Sequence, residues 1–138
     1  KYLIASPSDF GLHNCLEYKN KLFFFDFEFA GKDFFFKLIL DLICQPDSKL
    51  LKNQIFKILN YWSNYWDLKP PDIKLLEILS RLFIIKWTFI IMSQINKDRN
   101  VIKNNIDFNT NFYVKSKNYY KKYYERNRLH ECFSQLLK

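Results

Sequence analysis

The chain has 138 residues, about one domain, and its 49% hydrophobic and 20% aromatic content excludes a disordered polypeptide. Two glycines and four prolines are too few for a turn-rich all-β architecture. The formal charge of +8 is uneven, with 12 basic and 10 acidic side chains in residues 1–96 but 10 and 4 in residues 97–138.

In chain order, Tyr2 to Ala5 reads as a short strand that Ser6-Pro7-Ser8 breaks into a loop. Cys15–Tyr18 and Leu22–Phe27 flank Lys19-Asn20 and predict a hairpin, with Phe23-Phe24-Phe25 as a buried strand ending in Asp26. From Asp33, placed to cap it, the spacing predicts a helix to Ile43, ended by Gln45-Pro46. A second helix runs from Leu50 to Leu68, with Ile55, Phe56, Leu59, Trp62 and Trp66 at helical spacing, and Lys69-Pro70-Pro71 stops it. Asp72 caps a third, from Ile73 to about Ile95, with a possible break near Ser80. Asn96 to Asn111 reads as a polar loop and Phe112 to Leu137 as a basic amphipathic helix. The apolar run Leu82–Ile95 is too short to span a bilayer and carries Lys86, so it reads as a buried helix. The expected class is therefore α+β, mostly helical, with a small β-hairpin platform ahead of the helices.

Cys15, Cys44 and Cys132 are widely spaced and odd in number, which predicts neither a disulfide framework nor a CxxC metal pair and fits a reducing cytoplasm. The chain opens on Lys1 and runs straight into a strand, which reads as part of something longer. The basic tail suggests nucleic acid or an anionic surface as partner. An AT-rich coding sequence, which enriches Lys, Asn, Ile, Phe and Tyr together, accounts for the same excess.

The chemistry-bearing segment is Ser6-Pro7-Ser8-Asp9-Phe10-Gly11-Leu12-His13-Asn14, followed by Asp26-Phe27-Glu28-Phe29-Ala30-Gly31. The hairpin brings Asn14 and Asp26 together and leaves Asp9 beside them. A carboxylate at the end of a buried strand is costly unless a metal, a base or hydrogen bonds satisfy it. Phosphoryl transfer uses such a trio, because its catalysis rests on positioning and charge neutralisation. One carboxylate orients and deprotonates the attacking hydroxyl, and an amide oxygen with a second carboxylate holds Mg²⁺.

Asp9 to Asn14 resembles the D-x-x-x-x-N catalytic loop of aminoglycoside phosphotransferase and choline kinase-like enzymes, and Asp26 to Gly31 resembles their D-[FW]-E-[YD]-A-G metal segment. The loop is similar to a branch reading SPSDFGFHN. Gly31-Lys32-Asp33, Lys37-Leu38, Asp41 and Cys44-Gln45-Pro46 resemble that branch's G-W-D-D-P-A-K-L…D…C-Q-P, and Ile85-Lys86-Trp87 its I-K-W helix. Many relatives read His-Gly-Asp where this chain has Pro7-Ser8-Asp9, and Phe34-Phe35 stands where Asp-Pro is common.

The resemblance implies the C-terminal lobe of a protein kinase-like fold over residues 1–138. Residues 1–47 would form the catalytic and metal-binding segment and 48–138 a helical subdomain, while the N-terminal lobe that holds ATP is absent. It implies an ATP- and Mg²⁺-dependent phosphotransferase acting on a small-molecule hydroxyl. Asp9 would be the catalytic base, Asn14 and Asp26 the metal ligands, Glu28 an auxiliary metal residue and Asp33 a structural anchor for the loop. The ATP-binding residues would belong to the missing lobe of the same polypeptide, and the lobe alone would turn over little.

Two other readings stand beside it: a non-catalytic remnant acting as a binding module, and a basic helical nucleic-acid-binding domain. Tyr119-Tyr120-Lys121-Lys122-Tyr123-Tyr124 has the interleaving that single-strand binders use, although on an amphipathic helix tyrosines pack while lysines stay wet. Trp62, Tyr65 and Trp66 suit either a cation box or core packing. His13 is expected to face away from the cleft, His130 to be exposed, and Lys86 to snorkel.

Overall fold

The computed structural model describes residues 2–46, 48–97, 106–125 and 128–138. Strand β1 (Leu3–Ser6) pairs antiparallel with β4 (Gly31–Phe34), Leu3 opposite Phe34 and Ser6 opposite Gly31. Between them the chain makes the loop bearing Asp9, a 3₁₀ turn at Leu12–Asn14, and a second two-stranded sheet, β2 (Cys15–Tyr18) with β3 (Lys21–Phe24). Lys19 and Asn20 both take positive φ, 49° and 59°, as a tight two-residue hairpin turn requires. Five helices account for most of the remaining described residues: α1 (Phe35–Cys44), α2 (Lys52–Tyr65), α3 (Pro70–Lys97), α4 (Ile106–Tyr120) and α5 (Arg128–Leu136). The class is α+β and mostly helical.

One core serves the helices. Long α3 packs against α1, α4 and α5, while α2 lies on α5. Helix α1 is apolar on most of its surface, with Phe35, Phe36, Ile39, Leu40, Ile43 and Cys44 all buried. Each large apolar side chain so placed contributes about 1.5–3 kcal/mol of transfer free energy. Trp62 and Trp66 on α2 close on Phe35, with ring centroids 5.5 and 4.6 Å away, so core packing takes both indoles. The three cysteines remain thiols. No helix among the described residues is long and apolar enough to cross a membrane.

Several boundaries differ from the sequence expectations. Helix α1 begins at Phe35, not at Asp33. Asp33 is held in the β1–β4 ladder opposite Ile4, and its carboxylate accepts the Phe34 N–H at 2.8 Å instead of capping the helix. The second helix is shorter than Leu50–Leu68; the side-chain oxygen of Gln54 accepts the Leu51 N–H at 2.7 Å at its start. Pro70 and Pro71 open α3, where a missing N–H costs nothing, and Asp72 reaches back to accept the Lys69 N–H at 2.9 Å. Ser80 does not break α3, because its hydroxyl donates to the Glu77 carbonyl one turn earlier at 2.6 Å.

The Asn-rich stretch read as a loop is helical at both ends, Lys97 closing α3 and Ile106 opening α4; its middle, residues 98–105, lies outside the described residues. Packing of Phe112 against the core overrides the weak helix propensity of asparagine there. The tail is not one helix: a π-helical turn, Lys121–Glu125, follows α4. Around that wider turn Tyr119 and Tyr123 both point inward, ring centroids 4.9 Å apart, donating hydrogen bonds to the carbonyls of Cys44 and Ser48. Those two buried rings are unavailable for base stacking.

The largest correction concerns β3. Phe23, Phe24 and Phe25 are not a buried strand: Phe23 is 51% exposed, Phe29 reaches 70%, and Leu16, Tyr18, Leu22 and Phe27 are exposed beside them. A two-stranded sheet buries neither face unless something packs on it, and among the described residues the hairpin stands clear of the helical core.

Candidate functional site

The loop between β1 and β2 sets the site. Pro7 and Ser8 turn the chain, with the Asp9 N–H bonded to the Pro7 carbonyl at 2.9 Å and Ser8 at a φ of 68°. The Ser6 hydroxyl oxygen accepts the Ser8 N–H at 3.1 Å. Asn14 is buried and donates its side-chain N–H to the Asp9 carbonyl at 3.1 Å, so the Asp-x₄-Asn spacing closes into a compact loop. With its nitrogen used as donor, the Asn14 amide oxygen is the group left to accept a bond or ligate a cation.

Asp26 reaches the same corner from the other strand. Cys15 pairs with Phe24, and the Phe25 N–H donates to the Asn14 carbonyl at 3.1 Å, which puts Asp26 one residue beyond Asn14's partner. Its φ of 64° turns the chain out of the strand direction at that point. Asp26 and Glu28 are exposed, so the burial cost expected for Asp26 does not arise. The donors gathered here are hard oxygens, a set that fits Mg²⁺ with several waters retained. No cluster of three or more His, Cys, Asp or Glu side chains occurs among the described residues, so any metal here relies on the Asn14 amide and on water.

His13 does not face away. Its Nε2 lies 3.3 Å from the Asp9 Oδ2, and its ring packs so closely on Gly11 that a Cβ there would sit 2.5 Å from Nδ1. This ring position depends on the bare Gly11 backbone, whose φ of −159° any residue could adopt. His13 thus contacts Asp9 from four residues further along the loop.

Beneath the loop runs a chain of charges that sequence reading resolved only in pieces. Lys37 donates to the Ser8 carbonyl and forms ion pairs with Asp33 at 2.8 Å and Asp41 at 2.9 Å. Asp41, only 3% exposed, also takes Lys86 of α3 at 3.0 Å, so Lys86 is an ion-pair partner and does not merely snorkel. Its ammonium lies 4.6 Å from the Phe83 ring centroid. Burial alone would lower the Lys37 pKa, but the hydrogen bonds and charges of Asp33 and Asp41 outweigh it and hold the pKa above the ordinary lysine value. The i,i+4 spacing of Lys37 and Asp41 is a local signal that could have paired them; nothing local signals the Lys86–Asp41 or Lys37–Ser8 contacts, which span long sequence separations.

Far from this corner, His130 is exposed, as expected, and its Nδ1 also lies 2.6 Å from the Glu77 carboxylate, tying α5 to α3.

In comparisons with known proteins, the chain matches no family model, no curated protein and no solved structure at a significant level.

Proposed function

We propose that this chain is the catalytic lobe of a kinase-like, ATP- and Mg²⁺-dependent phosphotransferase acting on a small-molecule hydroxyl. The observation that carries the reading is the corner itself. Asp9 and Asn14 are closed into one loop by the 3.1 Å amide bond, and Asp26 is brought beside Asn14 by the hairpin register. In this reading Asp9 accepts the acceptor's hydroxyl proton as the new O–P bond forms and the bond to the ADP oxygen breaks. Bound Mg²⁺ supplies neutralisation of the phosphate charge. Asn14 and Asp26 hold that ion, Glu28 assists from the hairpin mouth, and Asp33 anchors the loop through Lys37. A nucleotide-holding N-terminal lobe of the same polypeptide covers the hairpin, where Leu16, Tyr18, Leu22, Phe23 and Phe27 are all exposed.

The test is phosphoryl transfer from ATP by the full-length polypeptide. Asp9→Ala is expected to lower the rate by about 10²–10⁴, the usual contribution of a positioned base, and Asp26→Ala to abolish the Mg²⁺ dependence. Undiminished transfer in either variant overturns the assignment.

One observation favours a second reading, a binding module without turnover: His13 Nε2 lies 3.3 Å from Oδ2 of Asp9, occupying one of its two carboxylate oxygens. Calorimetry with Mg²⁺ and ATP on the full-length polypeptide separates the two, since metal-dependent nucleotide binding supports the phosphotransferase and its absence supports the remnant.

A further inference from the structure

Hydroxyls inside the helices follow a common habit here. Ser80, Thr88, Ser93 and Ser116 each donate to a backbone carbonyl about one turn earlier, at 2.6 to 2.8 Å. Ser134 on α5 differs: its Oγ lies 3.5 Å from Nε2 of His130, one turn back on the same helix. The other ring nitrogen of His130, Nδ1, lies 2.6 Å from Oε1 of Glu77 on α3. A carboxylate only accepts, so in the neutral ring Nδ1 carries the proton and Nε2 offers its lone pair to the Ser134 hydroxyl. The Glu77 side chain is 16% exposed, and Arg81 Nη2 lies 3.5 Å from the same carboxylate oxygen, so the group that orients the ring is itself held. The 3.5 Å from Ser134 to the ring is longer than a closed hydrogen bond, as nucleophile–base pairs without substrate often are. His130 is exposed and Ser134 half-buried, so a small electrophile reaches the hydroxyl from solvent.

We propose that Ser134, His130 and Glu77 form a nucleophilic serine site that hydrolyses activated esters. It shares no residue with the phosphotransfer corner and does not rest on the phosphotransferase reading. Hydroxyl to imidazole to carboxylate, through opposite ring nitrogens, is the order of contacts that makes a serine nucleophilic. The Ser134 oxygen attacks the ester carbonyl carbon while its proton passes to His130 Nε2. The bond to the leaving group breaks, that group departs with the proton, and an acyl-serine remains. Water then attacks the acyl carbon and gives a proton to Nε2, which returns it to the Ser134 oxygen as the acid leaves. Substrate class follows from what the helix withholds. Inside α5 the Ser134 N–H is spent on the carbonyl one turn back, so it offers no oxyanion donor, a loss worth about 10²–10³ in rate. Esters of phenols and thiols, whose leaving groups depart with less help, are therefore the substrates, and alkyl esters and amides are not.

The test exposes the full-length polypeptide to a fluorophosphonate, from which a nucleophilic serine oxygen displaces fluoride at phosphorus, and locates the adduct by peptide mass spectrometry. An adduct at Ser134 is expected, forming about 10²-fold more slowly in His130→Ala, as loss of a positioned base implies. Added imidazole should restore labelling in that variant, which a purely structural role for the ring would not allow. Release of p-nitrophenol from its acetate ester should fall to the uncatalysed rate in Ser134→Ala. No adduct at Ser134, or one formed as fast in His130→Ala as in the parent, overturns the proposal, as does ester hydrolysis unchanged in Ser134→Ala. Neither assay uses ATP, so failure here and failure of phosphoryl transfer are read separately.

Discussion

Lys37 sits between two carboxylates, four residues before it and four after, and its ammonium also reaches the Ser8 carbonyl next to the proposed base. Of the group, Asp41 bears the most, because it is buried and shared by two lysines. Asp41→Ala removes the carboxylate that Lys37 and Lys86 share, while Lys37 keeps Asp33, and is expected to cost about 1–3 kcal/mol in urea denaturation. Lys86→Met removes a partner that is itself exposed, and a loss below about 1 kcal/mol is expected. Equal losses would show that the Asp41 carboxylate is solvated instead of buried. At this scale the sequence was informative about residue types and silent about partners. Asp9, Asn14 and Asp26 were singled out by their spacing together with the family resemblance, and the fold closes Asp9 and Asn14 into one loop. The swing of His13 onto Asp9 was not signalled, since it depends on the bare Gly11 backbone allowing the ring to lie against it.

Among the elements, the hairpin and α1 present the same raw signal, a run of phenylalanines, with opposite outcomes. Phe35 and Phe36 are fully buried, whereas Phe23 to Phe25 are exposed. Hydrophobic pattern reports that a segment has apolar surface to cover; it does not report whether the cover is part of the same chain segment. The helices and the β2–β3 turn were legible because period, proline placement and the Lys19-Asn20 pair are local properties. The π turn and the helical onset at Ile106 were not, because packing of Phe112, Tyr119 and Tyr123 decides them. Two substitutions separate the environments by chemical denaturation of this chain. Phe35→Ala is expected to cost about 3–5 kcal/mol, while Phe23→Ser is expected to stay within about 0.5 kcal/mol, as exposed positions do. A large loss at Phe23 would mean that the hairpin is buried in solution.

For the molecule as a whole, the buried ionisable groups predict a fold that weakens in alkali. Burial first, and the Asp41 charge second, push the Cys44 thiol above its ordinary value of 9.0, against the opposing pull of Lys86. Burial likewise raises the Tyr119 phenol above 10.0, helped by Cys44 and Tyr123. In both cases the unfolded chain ionises first, so stability is level below the ordinary value and falls as pH climbs past it. Lys37, raised above 10.5, adds in the same direction: its ion pairs are intact below that value and are lost as pH rises through the higher folded one. Urea midpoints measured from neutral pH upward should therefore begin to fall near pH 9. Cys44→Ala should remove the earliest part of the decline, and a profile unchanged by that substitution would count against a buried neutral thiol.

The four-rung ladder of β1 and β4 has one more consequence. Ser6 and Gly31 face each other across its end, so everything between them leaves and re-enters the helical body through a single gate. Asp9, Asn14, Asp26 and Glu28 all lie in that excursion, and the structural lysine beneath it lies outside. Since closing a longer loop costs only slightly more than closing a shorter one, the excursion can lengthen or shorten at the Lys19-Asn20 tip without touching the core. The candidate site residues are thus packaged as a cassette, one that could be transplanted onto another body offering the same pair of strand ends.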